Sequence, residues 1–360
     1  MRALLCLATL VLSSCTGPRV ASVAPGSYLV VLDKGDATLR MIEPNSAHVR
    51  DLAPTGNGPH EGAASPDGTL VVVCDYGDRT PGHTLTLFDP LARHVTTTIA
   101  LSPHTRPHGI AFLDQRSTVL VTSETSKALL EVDVLARKVV RVIPTEAETT
   151  HMLAVTPDRS RVFTANMRSD SVSVIDLASG KLLQQIPTGR QPEAIAVSPD
   201  GREVWVGHNG DDKIVVLDAR TLEKKAEFAC AKTPIRIAFV PDGRLALVSC
   251  ANSGDLAVFD AATRTETRRI ALPRLASAAH AAQPAVGGDE AAGNPLPVGV
   301  LCEPDGDYAF VACTAADQVV VIDLAKMEVK SVIPTGRQPD GMTWLYKREG
   351  YNNPDASAWP

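Results

Sequence analysis

The sequence predicts an all-β chain folded as a seven-bladed β-propeller with four antiparallel strands per blade. Three observations carry this: a turn signal that recurs along the chain, an aspartate that ends a β-prone run at a nearly constant interval, and strands that are apolar on both faces. The turn signal is Ser65-Pro66-Asp67-Gly68. It returns as Thr156-Pro157-Asp158, Ser198-Pro199-Asp200-Gly201, Val240-Pro241-Asp242-Gly243 and Glu303-Pro304-Asp305-Gly306, with a degraded copy at Leu113-Asp114-Gln115. Each copy separates two short apolar runs, such as Ala194-Ile195-Ala196-Val197 and Val204-Trp205-Val206, which is the pattern of a tight hairpin. The aspartates Asp89, Asp133, Asp176, Asp218, Asp260 and Asp323 end the third strand of each repeat and lie 44, 43, 42, 42 and 63 residues apart. A period of about 40–45 residues holding four strands is that of a propeller blade. Strands apolar on both faces suit sheets packed between neighbouring blades.

Six complete copies occupy residues 59–334, and the seventh is split. Gly341-Met342-Thr343-Trp344-Leu345 is expected to be an innermost strand, and Ser27 to Leu32, Ala37 to Ile42 and His48 to Leu52 its three missing partners. Joining them closes the ring and removes two open edges. The segment Ile186-Pro187-Thr188-Gly189-Arg190-Gln191-Pro192 reappears as Ile333-Pro334-Thr335-Gly336-Arg337-Gln338-Pro339, which supports the register. Residues 276–295 are rich in Ala, Gly and Pro and are expected to be a loop, either partly covering the channel mouth with His280, Asp289 and Glu290 as contributors or disordered. The expected organisation is a leader at 1–15, a tether at 16–26, the propeller at 27–347 and a tail at 348–360.

Arg2 precedes the apolar run Ala3 to Leu12, followed by Ser13-Ser14-Cys15. This has the form of a secretory signal, and its apolar core is too short to span a bilayer. Small residues before Cys15 resemble a bacterial lipoprotein processing site, which implies lipid on Cys15 and a periplasmic or outer-membrane location with membrane contact through the lipid only. Without Cys6 and Cys15, the cysteines are Cys74, Cys230, Cys250, Cys302 and Cys313. They show no Cys-x-x-Cys spacing, so no disulfide framework, zinc site or c-type haem is indicated, and most are expected as small core residues. A net charge of −6 and 4% aromatic residues argue against nucleic acid as a partner.

The strand motifs Val162-Phe163-Thr164-Ala165-Asn166, Val204-Trp205-Val206-Gly207-His208-Asn209 and Ala309-Phe310-Val311-Ala312-Cys313 resemble those of the bacterial YVTN-repeat, YncE-like propellers, related in fold to the haem-d1 domain of cytochrome cd1. The resemblance covers nearly all of the chain after the leader. It is specific for fold and says little of function, because propellers host many activities.

The turn proline serves as a ruler for the site. Six positions before it stand His60, His108, His151, Glu193, Ile235 and Val298, with Asp340 in the split blade, and the next register adds Glu61. These residues precede the innermost strands and are expected at the mouth of the central channel. Nine positions after the proline, the second strands end in Asp75, Ser123, Asn166, His208, Cys250 and Cys313, with Glu124 and Asn209 one further. Both rings are expected to converge on one mouth. His60, His108 and His151 are candidate ligands for a divalent transition metal, because neutral imidazole and carboxylate suit such ions. Arg106, Arg190, Arg236 and Arg337 near the rim are candidates for holding an anion. A water-filled mouth lined by polar residues explains the same pattern without function. The strand-end aspartates, with Glu43 in the split blade, are expected to cap turns.

Three functions fit these residues. The first is a binding module that captures a small molecule, a metal or a protein at the mouth, with Asp75, Glu124, Asn166, Glu193, His208, Arg236 and Asp340 as binding residues. The second is a hydrolase or lyase, since the predicted architecture is similar to that of seven-bladed lactonases; His60, Glu61, His108 and His151 would be catalytic, although no Gly-x-Ser-x-Gly motif is present. The third is a tetrapyrrole or redox role, by analogy with the haem-d1 domain.

Overall fold

The computed structural model describes residues 26–275 and 293–345. The expected leader with Cys15, nearly all of the tether, most of the insertion with His280, Asp289 and Glu290, and the tail lie outside the described residues. Seven four-stranded antiparallel sheets form the blades. In blade 1 the innermost strand Pro339–Leu345 is followed outward by Tyr28–Asp33, Thr38–Glu43 and His48–Pro54. Blades 2 to 7 follow in chain order, with innermost strands Pro59–Ala64, Pro107–Phe112, Thr150–Val155, Pro192–Val197, Pro234–Phe239 and Pro297–Cys302. Each innermost strand touches the next, and that of blade 7 touches that of blade 1, so the ring is closed. Among the described residues no helix is long and apolar enough to cross a membrane.

The split blade joins the two ends of the chain as the repeat predicts, with Tyr28 opposite Leu345, Leu29 opposite Trp344 and Val30 opposite Thr343. Its innermost strand begins two residues earlier than expected, at Pro339. Asp33 latches the junction: it accepts the Gly336 amide at 2.9 Å and the Thr38 hydroxyl at 3.1 Å, and it pairs with Arg40.

Seven apolar clusters fill the seven interfaces between neighbouring blades. Strand alternation explains how one strand serves two of them. In Glu203–His208, Val204 and Val206 pack toward blade 4, whereas Trp205 packs toward blade 6 with Phe239 and Phe259.

The Pro-Asp-Gly signal works as a turn through its side chains. Asp67 accepts the Ser65 hydroxyl at 2.6 Å and the Thr69 amide at 3.0 Å, and the Ser65 hydroxyl oxygen accepts the Leu70 amide at 3.0 Å. Gly68, Gly201, Gly243 and Gly306 all sit at φ between 71° and 76°, the left-handed region that glycine adopts without strain. The aspartates ending the third strands cap the next turn: Asp89 accepts the Leu91 and Ala92 amides at 2.8 Å, and Asp176 and Asp260 accept those of Ser179 and Thr263.

Blade 7 departs from this pattern, because Glu303 stands where blade 2 has Ser65. It is 1% exposed, and burial, reinforced by the charges of Asp307 and Asp305, pushes its carboxyl up to about 7 from 4.5. A carboxyl raised in this way binds a proton on folding, so it stabilises the fold at low pH and that contribution is lost as pH rises toward 7. Replacing Glu303 with Gln removes the dependence. In urea titrations, Glu303→Gln is expected to gain stability over the wild type at pH 8, with the gap shrinking at pH 5; a gap independent of pH would count against this assignment.

Candidate functional site

In every blade, pairing between the innermost and second strands slips just after the first residue of the innermost strand. Such a bulge re-aims the side chains beside it. Hence residues at both the second and third positions of the innermost strands reach the channel. His60, His108, His151, Glu193 and Asp340 are therefore the second residues of these strands rather than residues that precede them.

Close approach of the strands compresses this ring. A Cβ on Gly341 would lie 2.2 Å from the His60 carbonyl oxygen, one on Gly299 2.2 Å from that of Asp340, and one on Gly109 2.9 Å from the Leu153 nitrogen. With glycine at the third position, the backbones of blades 7 and 1, 1 and 2, and 3 and 4 draw together. The three imidazoles stack, with ring centroids 4.1 Å apart for His60 and His108 and 3.7 Å for His108 and His151. The Tyr76 ring packs edge-on against His60 and His108, at 5.0 and 5.4 Å.

Carboxylates surround the stack. His151 Nδ1 bonds Glu124 Oε1 at 2.5 Å, and its Nε2 lies 3.3 Å from Glu193 Oε1. The Tyr76 hydroxyl donates to the other Glu124 oxygen at 2.7 Å. His60 Nδ1 lies 3.4 Å from Asp340, which also pairs with Lys34 at 3.4 Å. Asn209 donates to Glu193. Across the channel, the Arg236 guanidinium of blade 6 donates to Glu61 of blade 2 at 2.9 and 2.6 Å and approaches Glu193 at 3.4 Å. Both Arg236 and its partners are shielded from water, so this is an internal bolt rather than a surface pair.

Burial, with help from nearby Lys34, Arg236 and His151, holds the His60 and His108 imidazoles well below their usual range, so both are neutral. Burial also pulls His151 down, but the hydrogen bonds and charges of Glu124 and Glu193 outweigh it and hold His151 at about 8. For Glu61, burial outweighs Arg236 and raises the carboxyl; for Glu193, burial is overcome by His151 and Arg236, which lower it. His60 Nδ1, both ring nitrogens of His108 and His151 Nε2 are buried without a hydrogen bond. Ligand atoms of His60, Glu61 and His108 lie within 4.8 Å of one another, and so do those of His108, Glu124 and His151.

The second expected ring divides. Glu124 and Asn209, one residue past the strand-end register, reach the mouth. The same step in blades 1 and 2 gives Lys34 and Tyr76, which the sequence reading missed although the step that found Glu124 would have found them. Asp75, Ser123, Asn166 and His208 instead turn outward, because side chains alternate along a strand. Asp75 binds Gly56, Thr84 and Thr86; Asn166 binds Thr164 and Ser173; the Ser123 hydroxyl donates to the Thr105 carbonyl. His208 is fully buried in the same position, and burial with the Lys213 charge lowers it to about 4. Of the four arginines expected near the rim, Arg236 enters the site. Arg190 and Arg337 are tied to Asp211 and Asp36 in matching fashion, and Arg106 lies 4.6 Å over the Tyr76 ring.

Fold and site together define a closed β-propeller with a buried, histidine-rich channel mouth. The family model described as YNCE-like beta-propeller matches residues 134–274. Among solved structures, the chain is similar to Kuenenia stuttgartiensis hydrazine synthase, at 16% identity and a TM-score of 0.64, covering 79% of this chain and 88% of that one. It is also similar to a protein of unknown function from Desulfotomaculum acetoxidans DSM 771, at 14% identity and a TM-score of 0.72, covering 89% of this chain and 99% of that one. At these identities the likeness is one of fold. No curated protein matches the chain.

The bolt yields a prediction. Removing one partner of a buried ion pair leaves an uncompensated charge, at a cost of about 3–5 kcal/mol. Arg236→Met is expected to lose stability of that order in chemical denaturation, and the double variant Arg236→Met/Glu61→Gln to regain part of it. A double variant whose loss equals the sum of the losses in Arg236→Met and Glu61→Gln alone would argue that the two groups do not interact.

Proposed function

We propose that this chain is a binding propeller that holds a divalent transition metal at its channel mouth through His108, together with either His60 and Glu61 or His151 and Glu124. The observation that carries this reading is His108: a neutral imidazole, buried between two others, with neither ring nitrogen hydrogen-bonded. Buried polar atoms are nearly always satisfied, and neutral imidazole nitrogens are good ligands for borderline ions such as zinc or copper. Charge supports it. Glu61, Glu124, Glu193 and Asp340 outnumber the permanent cations Arg236 and Lys34, so the mouth stays net negative even with His151 protonated, which favours a bound cation. The bound ion would present its free positions to a small molecule or protein approaching from the top face.

Elemental analysis of protein purified without a metal-affinity tag tests the reading. About one equivalent of a transition metal is expected, lost in His108→Ala and kept in His208→Ala. Metal-free protein whose melting temperature does not respond to added zinc or copper would sink it.

A hydrolytic reading has one observation in its favour: the hydrogen-bonded pair His151–Glu124 beside the triad His60, Glu61 and His108, an arrangement in which that pair would serve as a proton acceptor if the triad held the ion. Turnover in a panel of lactones, abolished in Glu124→Gln, would support it; absence of turnover by metal-loaded protein would leave the chain a binding module.

We also propose that Cys15 carries lipid and places the propeller in the periplasm or at the outer membrane, on the strength of the Ser13-Ser14-Cys15 sequence after a short apolar run. Radiolabelled palmitate is expected on the wild type and not on Cys15→Ala; label that persists in the variant would overturn the anchor.

A further inference from the structure

Behind the mouth, the crossover from an outer strand to the next innermost strand passes the end of that blade's second strand, and in blades 1 to 4 polar side chains fasten the two. Asp33 and Asp75 accept the crossover amides of Gly336 and Gly56, at 2.9 and 3.0 Å. Ser123 donates to the Thr105 carbonyl at 2.7 Å. Asn166 acts through Ser173, whose hydroxyl donates to the Thr145 carbonyl at 2.9 Å. In blade 6 the corresponding positions hold two cysteines. Cys230 lies in the crossover, where other blades have Thr55, Thr145, Thr188 and Thr335, and Cys250 ends the strand Leu245–Cys250. Their sulfurs are 3.7 Å apart.

We propose that Cys230 and Cys250 form a reversible disulfide that clasps the crossover between blades 5 and 6, a covalent counterpart of the hydrogen-bonded fastenings elsewhere in the ring. The sulfurs are already in contact, and bonding requires them to close to about 2 Å. Cys230 is half-buried and sits on a connecting segment, so it is both the sulfur that can move and the one a reagent can reach; Cys250 is fully buried. The oxidant is a disulfide of the glutathione or thiol-oxidoreductase class, RS–SR. The Cys230 thiolate attacks it, forming a mixed disulfide and expelling one RS⁻. The Cys250 sulfur then attacks the Cys230 sulfur, forming the internal bond and expelling the second RS⁻. The two cysteine protons leave with the two RSH products, and the two electrons given up by the cysteines reduce the oxidant. Contact with Cys230, together with burial, pushes the Cys250 thiol up, in keeping with its part as the second sulfur. The proposal is independent of any metal at the mouth.

The test uses the full chain, incubated with glutathione disulfide or with dithiothreitol, then denatured, alkylated and digested for mass spectrometry. The expected result is a Cys230–Cys250 cross-linked peptide and two fewer alkylated cysteines in the oxidised sample, reversed by dithiothreitol. The oxidised form should also melt at a higher temperature than the reduced one. Cys230→Ser should show no cross-link and no redox dependence of melting. A glutathione adduct on Cys230 without a cross-link, a cross-link to another cysteine, or an unchanged count of alkylated thiols would overturn the proposal.

Discussion

Pairing of Tyr28–Asp33 with Pro339–Leu345 is the contact on which the rest of the molecule depends. A sheet left open there would expose two unpaired edges, and blades 1 and 7 would lose the partner that covers Leu29, Phe310 and their neighbours. The pairing also sets the circumference of the ring. With seven innermost strands drawn into one circle, neighbouring backbones meet so closely that Gly109, Gly299 and Gly341 have no room for a side chain. Three histidines on separate blades come into ring contact because their strands are held there by the whole circle, at a cost in burial that an isolated blade would not bear.

The mouth concentrates polar groups that would be costly elsewhere in the interior. Arg236 answers much of this by spanning the channel to Glu61 and approaching Glu193. Buried ion pairs add little net stability because desolvation offsets their attraction. The bolt matters instead because each partner would be strongly unfavourable without the other, which fixes the rotation of blades 2 and 6 relative to one another. Glu124 acts similarly at shorter range, holding His151 by one oxygen and Tyr76 by the other. The result is that His151, Glu124 and Tyr76 hold one another in place at the mouth.

Just behind the mouth the same register carries different chemistry in each blade: carboxylates in blades 1 and 2, a hydroxyl in blade 3, an amide in blade 4, an imidazole in blade 5 and a thiol pair in blade 6. In blades 1 to 4 one geometric task, fastening a crossover to a strand, is met by whichever polar group stands there, whereas the His208 ring nitrogens make no hydrogen bond. This explains why Asp75 and Asn166, residues with the look of ligands, serve the frame rather than the mouth.

Much of this was legible in the residues themselves. Period, turn chemistry and strand-end aspartates are local properties, so the sequence by itself determined the blade count, the split first blade and the register that aligns His60, His108, His151, Glu193 and Asp340. Tertiary structure decided which side of each strand faces the axis. A side chain changes face with every residue, and the slip after the first residue of each innermost strand shifts that parity, bringing Glu61 and Arg236 to the channel as well. It also decided the partnerships across the ring: Arg236 with Glu61, 175 residues apart, and Tyr76 with Glu124. No repeat pattern encodes such pairs, because they are set by how far the circle closes, and closure is a property of seven blades together.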